Sequence, residues 1–484
     1  MRTRFVSPLL LLLSLAASGN PWPEFRGPNR SGTESQATFP IHFGPNSNLV
    51  WRVPVPPGSS SPILWGRYLV LTAYASNQLL TLAFDAASGQ RLWQAAVDPG
   101  TIETGSRLSH PASATPCTDG ERWISYFAPF GIVAYESSGA ELWRHPLPTP
   151  ITGHGASSSP LLAGDLLLQL CDQDFGSYLL ALDKHTGRVR WRAERPDFRR
   201  SFSTPLLWPP NKPEIAVVAG TLKLAAYALS TGSERWRVSG LPNELVASPI
   251  AADQLIFTAG WTPGSGVPRM PAWTNLMSAS DLNRDQALSR DEAPAGPAKQ
   301  HFHYIDANRD GALSEVEYRT IAGIFDASRN NALAVRPGGT GDVTQTHVAW
   351  AQSRGLPYVP TPICLDGRLF MVRNGGLASC LDAATGRYFY QEERLGALGD
   401  YYASPIGADR KILAISHSGV AVVVKLGDTL EVLARNTLGD EVVSTPALSG
   451  DTLYIRTQKA LFAFRESPNI LKTAPAISLP LPQD

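Results

Sequence analysis

The sequence contains few cysteines. Only Cys117, Cys171, Cys364 and Cys380 occur among the 484 residues, and no two of them form a Cys-x-x-Cys pair. Four scattered cysteines do not make the disulfide framework of a small secreted domain, and a structural zinc site needs ligands at closer spacing. We therefore interpret them as small buried apolar side chains.

The chain also lacks net charge and long apolar runs in its body. It has 42 basic and 42 acidic side chains, which argues against a basic field for holding nucleic acid or anionic lipid. After the first twenty residues, no stretch approaches the roughly 18 apolar residues that indicate a membrane-spanning helix. The sequence therefore predicts no nucleic-acid partner and no transmembrane span.

Familiar catalytic motifs are missing as well. The sequence has no Gly-x-Ser-x-Gly elbow, no His-Glu-x-x-His helix and no glycine-rich phosphate loop. Hydrolase and kinase functions consequently lack support, and no catalytic residue is predicted.

The first residues have the pattern of an export signal. Arg2 and Arg4 precede the apolar run Leu9 to Leu15, and the small residues 17–19 offer a cleavage site. We expect residues 1–19 to be a signal peptide and the mature chain to be exported, to the periplasm or the extracellular space. An uncleaved N-terminal anchor is the alternative. No cysteine precedes Cys117 for lipid attachment.

A Ser/Thr-Pro pair before an apolar strand recurs along the chain. The pairs are Ser61-Pro62, Thr115-Pro116, Ser159-Pro160, Thr204-Pro205, Ser248-Pro249, Thr361-Pro362, Ser404-Pro405 and Thr445-Pro446. Successive prolines are separated by 54, 44, 45, 44, 113, 43 and 41 residues. This spacing indicates eight units of four strands, the size of a propeller blade, with one insertion after the fifth pair.

A second motif recurs at the same period, with an acidic or polar turn, a glycine and then an aromatic residue. It reads Asp85…Gly89…Trp93, Glu136…Gly139…Trp143, Asp183…Gly187…Trp191, Ser230…Gly232…Trp236 and Asp382…Gly386…Tyr390. The turn residues cap backbone amides and glycine supplies a positive φ. We expect each aromatic side chain to pack between neighbouring sheets.

The predicted fold class is all-β, an eight-bladed β-propeller with a small α-helical insertion. The last unit ends without its aromatic strand, and residues 49–53, which include Trp51, form an orphan strand that should complete it. The expected organisation is a signal peptide at 1–19, an N-terminal extension at 20–48, blades one to five at 49–264, the insertion at 265–336, the remaining blades at 337–466 and a tail at 467–484.

The turn motif resembles the tryptophan docking repeat of pyrroloquinoline quinone (PQQ)-type propellers, Ala-x-Asp-x-x-Thr-Gly-x-x-x-Trp. Two branches of that superfamily imply different functions. PQQ-dependent dehydrogenases hold the quinone and a calcium ion in the central funnel, whereas other members, such as the scaffold lipoprotein of the outer-membrane β-barrel assembly machine, are not catalytic. This sequence has no adjacent cysteine pair of the kind found in many of the alcohol dehydrogenases, and no local motif matches the funnel calcium ligands.

The sequence is also similar to exported bacterial PQQ-like repeat proteins of undefined activity. That likeness rests on residues 22–28, Trp-Pro-Glu-Phe-Arg-Gly-Pro, on Val359 to Pro362 and on Tyr401 to Pro405. The resemblance implies an exported, non-catalytic binding or assembly scaffold. A PQQ-dependent dehydrogenase is the alternative function.

The propeller rhythm stops between Trp261 and about Arg336, where two twelve-residue segments match EF-hand calcium loops 25 residues apart. EF-hands bind calcium through oxygen atoms at positions 1, 3, 5, 7 and 12. The predicted metal ligands are Asp281, Asn283, Asp285, Ala287 and Glu292 in the first loop, and Asp306, Asn308, Asp310, Ala312 and Glu317 in the second. Ca²⁺ suits these oxygen ligands better than Zn²⁺ does.

The two loops differ at the sharp turn. Gly311 occupies this position in the second loop, and Ser314 with Glu317 forms a capping-box pattern. The first loop has Gln286 there, and a non-glycine residue with positive φ costs about 1 kcal/mol. We expect weaker calcium binding at the first loop. A third stretch from Asp326 starts similarly but lacks the final Glu, and we interpret it as vestigial.

Segments before each Ser/Thr-Pro pair should surround one mouth of the central channel. Their polar and aromatic residues are His110, His154, Arg199, Arg200, Tyr358, Asp400, Tyr401, Tyr402 and Asp440. Such a funnel suits a small ligand or a partner's peptide, and solvated loop residues are the alternative interpretation.

Overall fold

The computed structural model describes residues 20–102, 110–263, 265 and 270–467. The predicted signal peptide and almost all of the predicted tail lie outside the described residues. The described chain forms eight sheets arranged as blades, seven with four strands and one with five. The eight-bladed, all-β prediction is therefore confirmed.

Most blades are built from strands that follow one another in the chain; the fourth, fifth and eighth blades each include a strand from elsewhere in the chain. The first strand of the chain is β1 (Leu49–Pro54). Blade one contains β2 (Ile63–Trp65), β3 (Tyr68–Ala75), β4 (Gln78–Asp85) and β5 (Arg91–Val97), and blade two contains β6 (Cys117–Thr118), β7 (Arg122–Phe127), β8 (Gly131–Glu136) and β9 (Glu141–Pro146). Blade three contains β10 (Leu161–Ala163), β11 (Leu166–Cys171), β12 (Tyr178–Asp183) and β13 (Val189–Glu194), and blade four contains β14 (Leu206–Trp208), β15 (Ile215–Gly220), β16 (Lys223–Ala228) and β17 (Glu234–Ser239).

The fifth blade is split around the insertion. Its elements are β18 (Ile250–Ala252), β19 (Leu255–Gly260), β22 (Asn331–Val335) and β24 (Val348–Gln352), and the insertion contributes α1 (Trp273–Ser280), β20 (Leu288–Ser289), α2 (Pro297–Gln300), α3 (Phe302–Ile305), β21 (Ala312–Leu313) and α4 (Glu315–Ala327). Between β22 and β24 lie β23 (Gly341–Asp342) and α5 (Thr344–His347). The propeller thus resumes at Asn331, inside the range 265–336 predicted for the insertion, and β23 adds a parallel fifth strand beside β17 of blade four.

Blades six to eight complete the ring. They contain β25 (Ile363–Leu365), β26 (Arg368–Arg373), β27 (Leu377–Asp382) and β28 (Tyr388–Arg394), then β29 (Ile406–Ala408), β30 (Lys411–Ile415), β31 (Val420–Lys425) and β32 (Glu431–Thr437), then β33 (Ala447–Ser449), β34 (Thr452–Arg456) and β35 (Ala460–Arg465). β1 pairs antiparallel with β35, with Trp51 opposite Ala463. The predicted closing strand is therefore confirmed, and it covers what would be a sheet edge.

The Ser/Thr-Pro pairs form a closed circle of hydrogen bonds. In each pair the backbone N–H of Ser or Thr donates to the side-chain hydroxyl of the corresponding residue in the next blade, at 2.9–3.1 Å. The eighth bond runs from Thr445 back to Ser61. The hydroxyl that recurs in the sequence thus holds each innermost strand to its neighbour.

The turn motif joins the outer parts of neighbouring blades. The indole N–H groups of Trp51, Trp143, Trp191 and Trp350 each donate to a backbone carbonyl of the following blade at 2.7–3.0 Å. Each ring also covers the next turn's glycine, and a Cβ built on Gly187 lies 2.5 Å from the Trp143 ring. Glycine is required there because of this contact as well as its positive φ.

The predicted extension wraps over the propeller before β1. The backbone N–H of Trp22 donates to Leu64 O in blade one, and Pro23 O accepts from the backbone N–H of Thr118 in blade two. The fully buried Arg26 donates to Pro362 O and Pro405 O in blades six and seven. Since blades two and six face each other across the ring, this segment crosses the propeller axis.

All four cysteines are free thiols. Cys117, Cys171 and Cys380 are buried and Cys364 is half-buried. This agrees with their interpretation as small apolar side chains. None of the helices in the described part of the chain is long and apolar enough to cross a membrane.

The hydroxyl circle makes Thr204 a sensitive position. Thr204→Val keeps the side-chain volume but removes the acceptor for the buried N–H of Ser159, which lies 3.1 Å from the hydroxyl. We expect a loss of about 1–3 kcal/mol in the free energy of unfolding. Urea denaturation measures this loss, and Thr204→Ser, which keeps the hydroxyl, is the control. Equal destabilisation by both variants contradicts this role of the hydroxyl.

Candidate functional site

The central channel contains a cavity of about 230 Å³. The Ser and Thr residues of the hydroxyl circle line it, together with Phe25, Phe202, Tyr358 and Tyr402. The channel wall therefore combines aromatic faces with many small hydroxyl groups. Among the described residues of its lining, His154 and Glu244 are the ionisable groups apart from the tyrosines.

The N-terminal extension supplies one wall of the channel. Phe25 lines the cavity, and its neighbours in the chain are fixed to blades on opposite sides of the ring through Pro23 and Arg26. Burial lowers the pKa of Arg26 to about 9, yet its guanidinium donates to four backbone carbonyls. These bonds fix the turn that places Phe25 at the axis.

The structure brings together part of the predicted mouth. His154, Tyr358 and Tyr402 line the channel, and Arg200 lies beside His154 and Tyr358 in an adjoining cavity. His110 instead lines a separate small pocket with Pro111 and Pro150.

The other predicted mouth residues have local partners. Tyr401 is fully buried, and its hydroxyl donates to Ala397 O. Asp400 accepts from the Tyr402 hydroxyl, and Asp440 accepts from the Lys459 N–H. Their contacts suit a structural role in the loops.

Sequence reasoning missed Glu244 and Phe25. Glu244 lies four residues before Ser248, in the same type of segment as the other mouth residues, so the Ser/Thr-Pro rule offered a signal for it. Burial raises the pKa of Glu244, while His154 and Arg200 act in the opposite direction. Phe25 carried no spacing signal, because only the path of the extension brings it to the axis.

A second cavity of about 200 Å³ lies between the channel mouth and the insertion. Its walls include His154, Glu244 and Tyr358, which also line the channel. Arg200 comes from the propeller and Tyr304 from α3 of the insertion. The insertion therefore forms one side of the space next to the channel mouth.

The two predicted calcium loops have nearly the same backbone hydrogen bonds. In the first loop, the N–H groups of Asp285, Gln286 and Ala287 donate to the side chains of Asn283, Asp281 and Asp285 at 2.9–3.2 Å. In the second loop, Asp310, Gly311 and Ala312 donate to Asn308, Asp306 and Asp310 at 2.9–3.1 Å. β20 and β21 pair antiparallel and hold the loops side by side.

In each of these two loops, the first Asp has one carboxylate oxygen without a hydrogen bond among the described residues. The Oδ1 atoms of Asp281 and Asp306 are buried and have no hydrogen-bond partner among the described residues. A buried carboxylate oxygen without a partner is unfavourable. These two atoms occupy equivalent positions, the first of each loop.

The glutamate at the last position of each loop accepts hydrogen bonds from its own loop. Glu292 accepts from the Ser289 hydroxyl at 2.7 Å, and Glu317 accepts from the Ser314 hydroxyl at 2.7 Å. The hydrogen bonds from Ser289 lower the pKa of Glu292. Burial raises the pKa of Glu317, but the hydrogen bonds from Ser314, Asn308 and Ala307 together outweigh it and the net direction is down. Both carboxylates are therefore ionised at neutral pH.

The turn position distinguishes the loops as predicted. Gly311 has φ +87°, and Gln286 has φ +68°. Ser314 and Glu317 form the predicted capping box at the start of α4. The third stretch, which starts at Asp326, returns the chain to the propeller, where Asn330 exchanges two hydrogen bonds with the backbone of Thr262.

The described residues contain no group of three or more His, Cys, Asp and Glu side chains arranged to hold a metal ion. At the predicted ligand positions each loop has three carboxylates, and the other oxygens belong to an Asn side chain and a backbone carbonyl. Calcium in EF-hands is bound by such a mixed set of oxygens.

Comparison with known proteins connects part of the chain to one family model. The model described as outer membrane protein assembly factor BamB matches residues 76–259, which is less than half of the chain. No curated protein sequence matches.

Solved propeller structures are similar to this chain at low identity. BamB from Moraxella catarrhalis is 11% identical, with a TM-score of 0.52 and coverage of 86% of this chain and 99% of that chain. A europium-containing methanol dehydrogenase is 10% identical, with a TM-score of 0.59 and coverage of 92% and 98%. The quinohemoprotein alcohol dehydrogenase from Comamonas testosteroni is 11% identical, with a TM-score of 0.54 and coverage of 94% and 82%. These likenesses establish the fold alone.

His110 should make stability depend on pH. Burial, and then the nearby Arg456, lower the pKa of His110 to about 4, and its Nδ1 accepts the Ala112 N–H at 3.1 Å. The unfolded chain therefore takes up a proton first as the pH falls from 6.5, and stability is lost towards pH 4. We expect up to about 3 kcal/mol from this residue.

Thermal or urea unfolding of wild type and His110→Asn between pH 7 and pH 4 measures this contribution. Asn places an acceptor oxygen near the Nδ1 position but does not titrate in this range. The stability difference between the two proteins should therefore change with pH. A constant difference contradicts the assignment.

Proposed function

We propose that this protein is an exported, non-catalytic propeller scaffold that binds calcium through two EF-hand loops in its insertion. The observation that carries the calcium proposal is the matched pair of loops, each leaving the first Asp with one buried, unpartnered Oδ1 atom. Binding of a cation by these oxygens would remove the cost of their burial.

The residues present suit calcium. Each loop supplies two Asp carboxylates, one Asn oxygen, one backbone carbonyl and one Glu carboxylate. These residues are Asp281, Asn283, Asp285, Ala287 and Glu292, and Asp306, Asn308, Asp310, Ala312 and Glu317. A hard cation with flexible coordination prefers such oxygen ligands, and the calcium supplies positive charge among the carboxylates.

The ion has a structural role in this proposal. The loops lie between the short helices of the insertion, whose own apolar cluster includes Trp273, Leu288, Phe302, Leu313 and Tyr318. A core of this size is small, and metal binding adds stability to such units. Calcium would therefore hold the insertion in place beside the channel mouth.

The scaffold role rests on the channel. The hydroxyl groups, Phe202 and Tyr358 offer a mixed polar and aromatic surface for a partner's peptide or a small ligand. The family model that matches residues 76–259 is described as an outer membrane protein assembly factor, which favours an assembly role. The export pattern at residues 1–19 supports a periplasmic or extracellular location.

The alternative function is a PQQ-dependent dehydrogenase, and two of the similar solved structures are quinoprotein or methanol dehydrogenases. PQQ carries three carboxylates. No Lys or Arg is among the described residues that line the channel cavity, so these residues do not fit an anionic quinone. Absorbance after reconstitution with PQQ and Ca²⁺, followed by dye reduction with alcohols or aldoses, tests this alternative. Stoichiometric quinone binding with turnover would show that the protein is a dehydrogenase and not a non-catalytic scaffold.

Calorimetry tests the calcium proposal. We expect wild type to bind two Ca²⁺ ions, with the tighter site in the second loop. Glu317→Gln removes the charge of the position 12 ligand and should abolish that site, while Glu292→Gln should remove only the weaker one. Glu315→Gln is the matched control, because Glu315 instead pairs with Arg319 on the α4 surface. If Glu317→Gln binds calcium as wild type does, the assignment is wrong.

The residue at the sharp turn of the first loop predicts that this loop binds calcium more weakly than the second. Gln286 adopts φ +68°, which costs a non-glycine residue about 1 kcal/mol. We expect Gln286→Gly to tighten calcium binding at the first loop about fivefold, a change that corresponds to this energy. Titration in the Glu317→Gln background isolates the first loop. Unchanged or weaker affinity contradicts backbone strain as the cause.

A further inference from the structure

The propeller contacts the insertion next to the second loop. Tyr304 lies in α3, two residues before Asp306, the first residue of that loop. The guanidinium carbon of Arg200 lies 4.5 Å from the centroid of the Tyr304 ring. Arg200 belongs to the segment between blades three and four, so this cation–π contact joins the two parts of the molecule.

The propeller holds Arg200 in a defined position. Asp174, which follows β11, accepts from both Nε and Nη2 of Arg200, the latter at 2.9 Å. The two side chains are only 17% and 8% exposed. Asp174 is itself fixed, since its N–H donates to Ile151 O at 2.7 Å. A bidentate ion pair of this kind sets the plane of the guanidinium as well as its position.

The insertion holds Tyr304 from its other side, in the apolar cluster that includes Phe302 and Tyr318. α3 has only four residues, and a helix this short is not stable without tertiary contacts. Within the insertion, the Tyr304 ring lies 6.5 Å from the Phe325 ring of α4. The direction in which α3 delivers Asp306 to the loop therefore depends on what packs against Tyr304.

We propose that Arg200 is a positioning residue for the second calcium loop. By holding Tyr304, it orients α3 and so Asp306 before the ion binds, which reduces the ordering cost of binding. This inference rests on the proposed calcium function and adds a determinant of affinity that lies outside both loops. By linkage, calcium binding would in turn stabilise the wall that Arg200 and Tyr304 form beside the channel mouth.

The test is a calcium titration of Arg200→Ala in the Glu292→Gln background, where only the second loop binds. Loss of one partly buried cation–π contact should weaken calcium binding about tenfold. Arg199→Ala is the matched control, because the Arg199 guanidinium carbon lies 5.4 Å from the Phe175 ring, which belongs to the propeller. We expect the control to bind calcium with unchanged affinity.

Variants of Tyr304 separate positioning from general damage. Tyr304→Phe keeps the aromatic face and should bind calcium normally, whereas Tyr304→Leu should weaken binding. Arg200→Ala should add no further loss to Tyr304→Leu if the two residues act through one contact. Circular dichroism and urea unfolding of each variant check that the propeller is folded.

The outcomes are distinguishable. If the Glu292→Gln background binds no calcium, the proposed calcium function fails and this inference fails with it. If the background binds calcium and Arg200→Ala binds equally well, only the positioning role is wrong. Additive losses in the double variant also overturn it, because they show that Arg200 acts independently of Tyr304.

Discussion

The hydrogen-bonded circle of Ser and Thr hydroxyls is the constraint on which the rest of the structure depends. Each hydroxyl accepts the backbone N–H of the preceding blade's equivalent residue, and the bond from Thr445 to Ser61 closes the circle. A blade of four strands cannot bury both of its faces alone, so its stability comes from its neighbours. The circle sets their spacing at the axis, and the tryptophan contacts set it farther out.

The same circle determines what the channel offers to a ligand. Because the hydroxyls that join the blades also line the cavity together with aromatic side chains, its wall is a mixed polar and apolar surface that carries little charge. Specificity must then come from the residues above and below the circle. Phe25 reaches the axis from the N-terminal extension, and His154, Glu244 and Tyr358 lie where the channel meets the second cavity.

The point at which the insertion leaves the propeller places it beside the channel mouth. It enters between β19 and β22, and Ser328, at the end of α4, donates to Asn243 at 3.1 Å. This anchoring places α3 next to the mouth, where Tyr304 meets Arg200. A unit at this position can influence the surface around the channel mouth without lying in the channel itself.

The sequence by itself determined the number of blades, the closing strand and the capping box at the start of α4, because these depend on local periodicity and spacing. It also predicted the difference between the two sharp turns. Both turn residues have a positive φ, which strains Gln286 but not Gly311. It did not predict β22, because the strand that begins at Asn331 directly follows a stretch similar to a third EF-hand loop. It also did not identify Trp350 as the aromatic residue of blade five. Only the tertiary structure decided that Phe25 reaches the axis, that Tyr401 is buried while Tyr402 lines the channel, and that Arg200 meets Tyr304. These contacts join residues far apart in the chain, and no local pattern encodes the path that brings them together.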